Sequence, residues 1–222
     1  MNHKNLFFII LILIFAFIFA NSNISTFIFM FLKEPKEVGA LTPLTSYTAK
    51  KLIEPIKNFH GPKNILEVGA GTGVVTDELL KELKAQDNLD VIEKNEKFCA
   101  IMSDKLKDSA KNIKFYCMPI EDFSSDKKYD FIISTLPFNS FPKELILKVF
   151  EKYKSLLKKD GYVHYIEYAL LAKLKRFFLS KQQKLEYDEA QATIKAIREK
   201  YLIKKILILW NFPPTYVYYL KI

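Results

Sequence analysis

The sequence has 222 residues, enough for one domain and an appendage, because single hydrophobic cores commonly grow to about 150–250 residues before they divide. Lysine and arginine number 34 against 25 aspartate and glutamate, so the surface favours anionic partners such as phosphate, nucleic acid or an acidic membrane leaflet without selecting among them. The two cysteines, Cys99 and Cys117, lack metal-ligand spacing; this argues against a disulfide framework or a metal site and predicts two reduced thiols.

The amino-terminal part of the sequence is strongly apolar. Residues 5–32 contain no ionisable side chain, and residues 6–20 form the unbroken apolar run LFFIILILIFAFIFA. A helix needs about 20 residues to cross a bilayer core, and an extension through residues 21–23 into ISTFIFMFL supplies them. We therefore predict a membrane anchor over residues 1–32, followed by a catalytic domain over residues 33–222.

The flanking charges give the expected orientation of this anchor. Lys33, Lys36, Lys50 and Lys51 follow the segment, whereas only Lys4 precedes it, so the positive-inside tendency places the domain in the cytoplasm.

Two alternatives to a spanning anchor remain open at this stage. One is a cleaved signal peptide, although Ile18 is a poor residue three positions before a cleavage site. The other is a separate helix over residues 24–32 that lies along the membrane surface.

Beyond residue 32, short apolar strands alternate with helical patterns. This alternation predicts an α/β protein with a mostly parallel sheet whose strands are buried on both faces. The last two strands are separated only by NFPP, which is too short for a helical crossover, so they are expected to form an antiparallel pair at one edge. The predicted strands occupy residues 64–68, 89–93, 113–117, 129–134, 161–167, 205–210 and 215–221.

A glycine-rich turn follows the first predicted strand. Glu67, Gly69, Gly71 and Gly73 form the pattern E-x-G-x-G-x-G, and the missing Cβ atoms let the backbone approach a ligand. A dinucleotide-binding turn has G-x-G-x-x-G instead. The pattern resembles the first motif of class I S-adenosylmethionine-dependent methyltransferases, which implies a Rossmann-like fold with a seven-stranded sheet and S-adenosyl-L-methionine as the cofactor.

The same resemblance implies roles for individual residues. Glu67 would orient the amino-acid part of the cofactor, with Ala70 inside the turn beside it. Glu93 ends the second strand, LDVIE, where a carboxylate can accept two charge-assisted hydrogen bonds from ribose hydroxyls. The alternatives are a surface acid at Glu67 and an exposed strand end at Glu93.

The adenine side of the site departs from the family pattern. The family often has Gly-Asp-Ala after the third strand, but Met118, Pro119 and Ile120 stand here. We expect the cofactor-side contacts to come from Ile120 and Glu121, with Asp122 as an alternative to Glu121, and from Ser134 at the end of the fourth strand.

The segment STLPFNSFP, residues 134–142, bears on the methyl acceptor. Adenine N6-methyltransferases, including ribosomal RNA dimethylases, carry a related motif that begins with an amide or acid and has an aromatic residue for base stacking. Thr135 stands where that amide or acid would be. The basic chain and this partial match keep an RNA methyltransferase as the alternative function.

Four separated stretches resemble bacterial phospholipid N-methyltransferases of the soluble-fold type. They are FLKEPKEVGALTPLT at residues 31–45, the glycine turn with STLPF, GYVHYIEYA at residues 161–169, and LWNFPPTYVYYLK at residues 209–221. Departures from that family include Ala169 for a glycine and Thr215 for an alanine.

This resemblance implies methyl transfer to the headgroup amine of a membrane phospholipid, with phosphatidylethanolamine as the first candidate and ornithine lipid as another. Tyr168, Asn211 and Tyr47 are the expected headgroup-side, catalytic residues. The expected partner is a bilayer with an anionic surface, and nucleic acid is not expected to bind. A non-catalytic, membrane-anchored module with a degenerate pocket is a further alternative.

The histidines and one apolar stripe are the remaining features of the sequence. His60, in a loop, and His164, within a strand, are expected to be structural. Residues 170–178, LLAKLKRFF, carry one apolar stripe flanked by basic residues; the pattern suits an anionic interface but equally suits a helix that covers the sheet.

Overall fold

A computed structural model describes residues 44–109, 112–169, 176, 179–211 and 213–222. The chain divides into two units, Met1–Pro43 and Leu44–Ile222, and the described residues all belong to the second. The predicted anchor over residues 1–32, with its boundary at residue 33, and most of the stripe over residues 170–178 lie outside the described residues. Among the helices of the described part, none combines the length and apolarity that crossing a membrane requires.

The first described helix shows how local sequence sets the helix boundaries. Thr45 precedes it, and its side-chain oxygen accepts a hydrogen bond from the backbone N–H of Thr48 at 3.3 Å, which satisfies one of the free donors of the first turn. The described helices are α1 (Ser46–Lys57), α2 (Val74–Glu82), α3 (Glu96–Leu106), α4 (Lys143–Leu156) and α5 (Lys181–Tyr201), with a short 3₁₀ helix at Phe138–Ser140.

The strands form one seven-stranded sheet with the order β3-β2-β1-β4-β5-β7-β6. Six strands share one direction, and β7 runs antiparallel between β5 and β6. This confirms the predicted seven-stranded, mostly parallel sheet with an antiparallel last strand. The strands are β1 (Asn64–Val68), β2 (Asn88–Glu93), β3 (Asn112–Cys117), β4 (Tyr129–Ser134), β5 (Leu157–Tyr168), β6 (Leu202–Ile208) and β7 (Thr215–Lys221).

Buried side chains lie on both faces of the sheet, because successive residues of a strand point to opposite faces. On one face, α1, α2 and α3 pack through residues such as Leu52, Leu79 and Met102. On the other, α4 and α5 pack through residues such as Tyr153 and Ile194. The central strand β4 is buried along its whole length.

The strand order places a topological switch between β1 and β4. The chain moves outward from β1 to β2 and β3, then returns to the other side of β1 with β4. Ligands of open α/β sheets bind at the carboxyl ends of the strands beside such a switch. The glycine turn after β1 and the STLPFNSFP loop after β4 both lie there.

The cysteines contradict the sequence-based expectation of two reduced thiols. Cys99 on α3 and Cys117 at the end of β3 form a disulfide, with their Cα atoms 5.6 Å apart. The spacing along the chain did not reveal this pair because the two residues meet only when α3 packs beside β2 and β3.

Candidate active site

The glycine turn is fastened to the neighbouring strand. The backbone N–H groups of Gly69 and Ala70 donate to the carbonyl oxygen of Ile92 at 2.8 and 3.2 Å. Gly69, Gly71 and Gly73 have φ values of 81°, 57° and 86°, in the left-handed region that other residues rarely adopt. The backbone of the turn is therefore held in one shape before any ligand arrives.

The three glycines meet different surroundings. A Cβ atom at Gly69 would lie 3.1 Å from the Leu136 side chain, and one at Gly73 would lie 2.7 Å from Nζ of Lys105. A Cβ atom at Gly71 would meet no atom within 4 Å. Gly69 and Gly73 thus allow close packing, whereas Gly71 borders open space in which a ligand can approach the main chain.

Glu67, two residues before the turn, is completely buried on β1 and is not a surface acid. Its Oε2 accepts a hydrogen bond from the hydroxyl of Thr76 on α2 at 2.8 Å. Its Oε1 is buried and has no hydrogen-bond partner among the described residues. Loss of solvation raises the pKa of this carboxyl to about 8, against the opposing effects of Thr76 and Lys105.

Glu93 connects the end of β2 to the glycine turn. Its Oε2 accepts from the backbone N–H of Gly71 at 2.8 Å. Its Oε1 accepts from the backbone N–H groups of Lys94 and Asn95, both at 2.8 Å. Glu93 is buried rather than an exposed strand end. Oε2 can accept one further bond, so the arrangement is compatible with a ribose contact of the kind that the resemblance implies.

The turn after β3 lies beside Glu93, because the backbone N–H of Met118 donates to the Glu93 carbonyl at 2.9 Å. Ile120 in this turn is buried within the hydrophobic core on the α4 face. Glu121 is half-buried, and its charge helps to raise the pKa of the Tyr153 phenol, which burial raises most. Ile120 and Glu121 therefore lie in the turn that Met118 bonds to Glu93, and their contacts with the cofactor stay a prediction.

The position of Ser134 does not support the predicted contact with the cofactor. Ser134 is fully buried, and its Oγ accepts bonds from the Tyr153 hydroxyl at 2.9 Å and the Leu136 N–H at 3.3 Å. The neighbouring Thr135 hydroxyl donates to the carbonyl oxygen of Gly69. Ser134 thus anchors the loop after β4 to α4, and Thr135 joins that loop to the glycine turn.

Tyr168 and Asn139 meet at the carboxyl ends of β4 and β5. Tyr168 ends β5, and its side chain is 8% exposed. The short helix Phe138–Ser140 carries Asn139 across to it, and Nδ2 of Asn139 donates to the Tyr168 carbonyl at 3.4 Å. The other amide atom, Oδ1 of Asn139, is buried without a hydrogen-bond partner among the described residues. Analysis of the sequence missed Asn139, because the expected amide was sought at position 135.

Asn211 has a structural environment rather than the predicted catalytic one. Its Oδ1 accepts from the Thr45 N–H at 2.9 Å and the Thr48 hydroxyl at 3.0 Å, and its Nδ2 donates to the Pro213 carbonyl and Thr215 Oγ1, both at 3.0 Å. Both ends of the buried amide are committed to the protein, so this geometry does not support a contact with substrate. We correct the prediction: Asn211 joins α1 to the turn between β6 and β7.

Tyr47 lies in the first turn of α1, within the segment that Asn211 holds, and is 50% exposed. Its position at the carboxyl edge of the sheet is compatible with the headgroup-side role that was predicted for it, and that role stays a prediction.

Sequence comparison decides the class of this site. Residues 65–161 match a family described as a methyltransferase domain, a range that runs from β1 into β5 and includes the glycine turn, Glu93 and the loop after β4. The chain contains a class I S-adenosylmethionine-dependent methyltransferase domain. The cofactor of this domain is S-adenosyl-L-methionine.

Named relatives of the methyltransferase domain act on different acceptors. Malonyl-[acyl-carrier protein] O-methyltransferase 1 of Ilyobacter polytropus is 31% identical over 116 residues, which is 50% of this chain and 42% of that protein. Ornithine lipid N-methyltransferase of Singulisphaera acidiphila is 24% identical over 141 residues, covering 61% of this chain and 72% of that protein. The chain thus spans less than half the length of the first of these relatives.

A solved structure supports the fold of the methyltransferase domain. The N-methyltransferase NodS from Bradyrhizobium japonicum WM9, in complex with S-adenosyl-L-homocysteine, superposes with a TM-score of 0.60 over 81% of this chain and 88% of that chain, at 13% sequence identity. At this identity the likeness concerns the fold alone.

The residues present fit the cofactor of the domain. The unpartnered Oε1 of Glu67 can accept a hydrogen bond from a cationic amine, and the open space beside Gly71 admits a ligand against the main chain. Glu67, Gly69, Ala70, Gly71 and Glu93 are the residues that would hold it, with Gly73 shaping the start of α2.

Proposed function

We propose that the protein transfers methyl groups from S-adenosyl-L-methionine to the headgroup amine of a membrane aminolipid. The observation that carries this proposal is the buried, unpartnered Oδ1 of Asn139 beside Tyr168. A buried acceptor without a partner is costly, and an N–H donor from a substrate amine would satisfy it.

The orientation of the Asn139 amide distinguishes amine from carboxylate acceptors. Nδ2 gives one of its two N–H groups to the Tyr168 carbonyl, so the amide atom without any partner among the described residues is the acceptor Oδ1. A primary amine supplies N–H groups to that atom. A carboxylate, such as the acceptor of an O-methyltransferase acting on a malonyl group, supplies none and would repel it. The site geometry therefore favours N-methylation.

The chemistry requires a neutral amine close to the bound cofactor, which supplies an electrophilic methyl group. An ammonium ion has no lone pair, so the amine must lose a proton to water or another acceptor before it attacks. Asn139 holds one remaining N–H and thereby directs the lone pair, with nitrogen and methyl carbon roughly 3–3.5 Å apart. The aromatic ring of Tyr168 can hold a methylated ammonium by cation–π attraction of about 0.5–2 kcal/mol.

Phosphatidylethanolamine is the first substrate to test, and ornithine lipid is the second. Both present a primary amine at a membrane surface. Ornithine lipid is favoured by the relative of that name, which is similar over 61% of this chain. Phosphatidylethanolamine is favoured by the four sequence stretches that resemble phospholipid N-methyltransferases.

The test of the substrate class is direct. The full chain is incubated with radiolabelled S-adenosylmethionine and either phosphatidylethanolamine vesicles, ornithine lipid vesicles, malonyl-acyl carrier protein or ribosomal RNA. We expect label in one of the two aminolipids. Label that enters only the acyl carrier protein or only RNA contradicts the proposal and selects an O-methyltransferase or the RNA alternative.

The role of Asn139 is tested by Asn139→Ala. Loss of a hydrogen bond to a reacting or charged group should lower turnover by about 10–100-fold, while calorimetry should show nearly unchanged cofactor affinity because the proposed role of Asn139 is to bind the acceptor amine and not the cofactor. Ser140→Ala, in the same short helix, is the matched control and should retain turnover. Equal turnover in Asn139→Ala and wild type removes Asn139 from the site.

Tyr168→Phe tests the second headgroup-side residue, because it removes only the hydroxyl. We expect cofactor affinity to be retained and turnover to fall. Normal turnover would show that the Tyr168 hydroxyl takes no part in the transfer and would leave only the aromatic ring as a candidate group.

A further inference from the structure

Exposed apolar side chains are concentrated in one part of the described structure. Of the large hydrophobic residues that are exposed in the described ranges, five lie on β6 and the turn that follows it: Leu202, Ile203, Leu207, Leu209 and Trp210. Trp210 is 85% exposed and Leu209 is 68% exposed. A tryptophan so exposed at the tip of a turn contributes almost nothing to the core, so its placement needs another reason.

The end of this stretch lies at the same edge of the sheet as the catalytic site. Because β6 runs parallel to β1, β4 and β5, Leu209 and Trp210 follow its carboxyl end. Asn211, the next residue, bonds to the N–H of Thr45, which places half-exposed Tyr47 beside the turn. We name Leu207, Leu209, Trp210 and Tyr47 the edge surface.

Two described residues that connect along the sequence to apolar stretches are bonded to this same turn. The uncharged run of residues 5–32 leads along the sequence into Thr45, which Asn211 holds. Residues 170–178, with their leucines, phenylalanines and basic residues, leave β5 directly after Ala169, whose N–H donates to the Pro214 carbonyl at 2.8 Å. Thr45 and Ala169, the described residues on the chain side of these stretches, are therefore both hydrogen-bonded to the turn between β6 and β7.

The charges near the edge surface suit an anionic lipid surface. Exposed lysines lie on the adjoining elements, Lys50 on α1 and Lys204 and Lys205 on β6, and the whole chain has a net charge of +9. Tryptophan and tyrosine prefer the interface between lipid headgroups and acyl chains, and nearby lysines add attraction to anionic lipids.

We infer that the edge surface is a membrane-docking surface, in which Trp210 and Leu209 insert between the headgroups of an anionic bilayer and bring the acceptor side of the site, at Asn139 and Tyr168, to the lipid. This inference rests on the aminolipid substrate proposed above. It assigns the β6–β7 turn, which sequence analysis treated only as a family motif, a direct contact with lipid.

Trp210 reports on its own surroundings, because the sequence contains one tryptophan. The full chain is titrated with vesicles of phosphatidylglycerol and phosphatidylcholine, which contain no amine substrate, and tryptophan emission is recorded. We expect a shift of the emission to shorter wavelength, quenching by brominated lipid, and protection from iodide. If the chain floats with the vesicles while Trp210 remains fully accessible to iodide, the docking proposal is wrong.

A second copy of this chain, bound through the exposed strand β6, is the competing occupant of the edge surface. Tryptophan emission also distinguishes this self-association from binding to lipid. A shift of emission that depends on protein concentration and needs no vesicles overturns the docking proposal in favour of a second copy of this chain.

Kinetics with a matched variant separates docking from catalysis. Trp210→Ser should lower kcat/KM on a vesicle-embedded aminolipid by about tenfold, the equivalent of one interfacial side chain. It should leave kcat/KM on a short-chain, monomeric aminolipid and the cofactor affinity unchanged. Leu185→Ser, at an exposed leucine of α5, is the control and should retain both activities. An equal loss on both substrates for Trp210→Ser contradicts docking.

The two proposals fail in different ways. If neither aminolipid is methylated but Trp210 enters vesicles, the substrate proposal is wrong and the surface assignment stands. If aminolipid is methylated but Trp210 remains in water, the substrate assignment stands and the surface assignment is wrong.

Discussion

Gly71 and Gly61 share a left-handed backbone, with φ values of 57° and 84°, and a Cβ atom on either would meet no atom within 4 Å. The two glycines differ in their position relative to β1. Gly61 precedes β1, whereas Gly71 follows it. Any residue other than glycine bears a similar backbone cost of roughly 1–2 kcal/mol at either site, so the pair isolates the effect of filling the cofactor turn.

We predict that Gly71→Arg abolishes binding of S-adenosylmethionine, because the side chain fills the open space against the main chain, whereas Gly61→Arg retains it. Isothermal titration calorimetry measures the affinity, and thermal unfolding checks that both variants lose similar stability. Equal affinity in the two variants would place the cofactor away from Gly71.

At the residue scale, the sequence predicts those candidate site residues whose chemistry is local. The glycine spacing and the acids Glu67 and Glu93 precede or follow single strands, so their environment was readable from neighbouring residues. The amide of Asn139 was not recognised, since a short helix carries it to β5. Asn211 was misassigned because its partners Thr45 and Thr48 lie far away in the sequence.

The link between α1 and the β6–β7 turn is the element-scale feature with the clearest consequence. Asn211 makes four hydrogen bonds from a fully buried position. We predict that Asn211→Ala lowers the free energy of unfolding by about 2–4 kcal/mol, because buried donors and acceptors lose their partners. Hydrogen exchange should accelerate in the first turn of α1.

Asn112→Ala provides the control for this change, since that exposed side chain makes a bond of 3.2 Å to the Ala85 carbonyl. Its unfolding free energy, measured in urea, should change little. Unaltered stability together with lost turnover in Asn211→Ala would restore the catalytic assignment that the structure argues against.

The bond between Cys99 and Cys117 joins α3 to β3 across 18 positions of the sequence. We predict that reduction with dithiothreitol lowers the free energy of unfolding by about 3 kcal/mol, because the unfolded chain gains conformational freedom. The double variant Cys99→Ser, Cys117→Ser should show the lower stability with or without reductant. A wild-type protein that reductant does not affect would show that the thiols are unpaired in solution.

The ends of the strands show where the hydrophobic pattern of the sequence predicts a boundary correctly and where it does not. Three strands, β1, β4 and β7, have the predicted ends, because their apolar runs stop at charged or turn-forming residues. The strand β5 starts at Leu157 rather than Gly161, and β6 ends at Ile208 rather than Trp210. Leu157 pairs with Tyr129 of β4, and the polar residues that follow Leu157 lie in an irregularity of this pairing. Leu209 and Trp210 are apolar without being strand residues.

On the scale of the whole molecule, two buried titratable groups affect stability in opposite directions. Burial lowers the pKa of His164 to about 3, against the bond between its Nδ1 and the Leu52 carbonyl. In the unfolded chain its pKa is about 6.5. The unfolded state therefore binds the proton more readily, and stability is lost as pH falls from 6.5 towards 3.

Glu67 affects the stability of the fold in the opposite direction, as the pH rises. Its pKa of about 8 in the folded state lies above the ordinary value of 4.5, so its contribution is fully present below pH 4.5 and is lost as pH rises through 8. Each effect corresponds to at most about 5 kcal/mol, at about 1.4 kcal/mol for each pKa unit.

We predict that Glu67→Gln reduces the loss of stability between pH 4.5 and 8 and that His164→Phe reduces the loss below pH 6.5. Urea unfolding from pH 4 to 9 measures both. Glu186→Gln, an exposed acid on α5, and His60→Gln, an exposed histidine, are the controls. Profiles of Glu67→Gln and His164→Phe that run parallel to wild type would show that both groups are solvated.

The position of β7 has a consequence for biosynthesis. This strand follows the other six described strands along the sequence, yet it lies between β5 and β6. While the ribosome is still making β7, the growing polypeptide carries two strands whose main-chain amides face no partner along one side. These unpaired strand edges can associate with other chains. They become paired only after β7, Thr215–Lys221, has been synthesised.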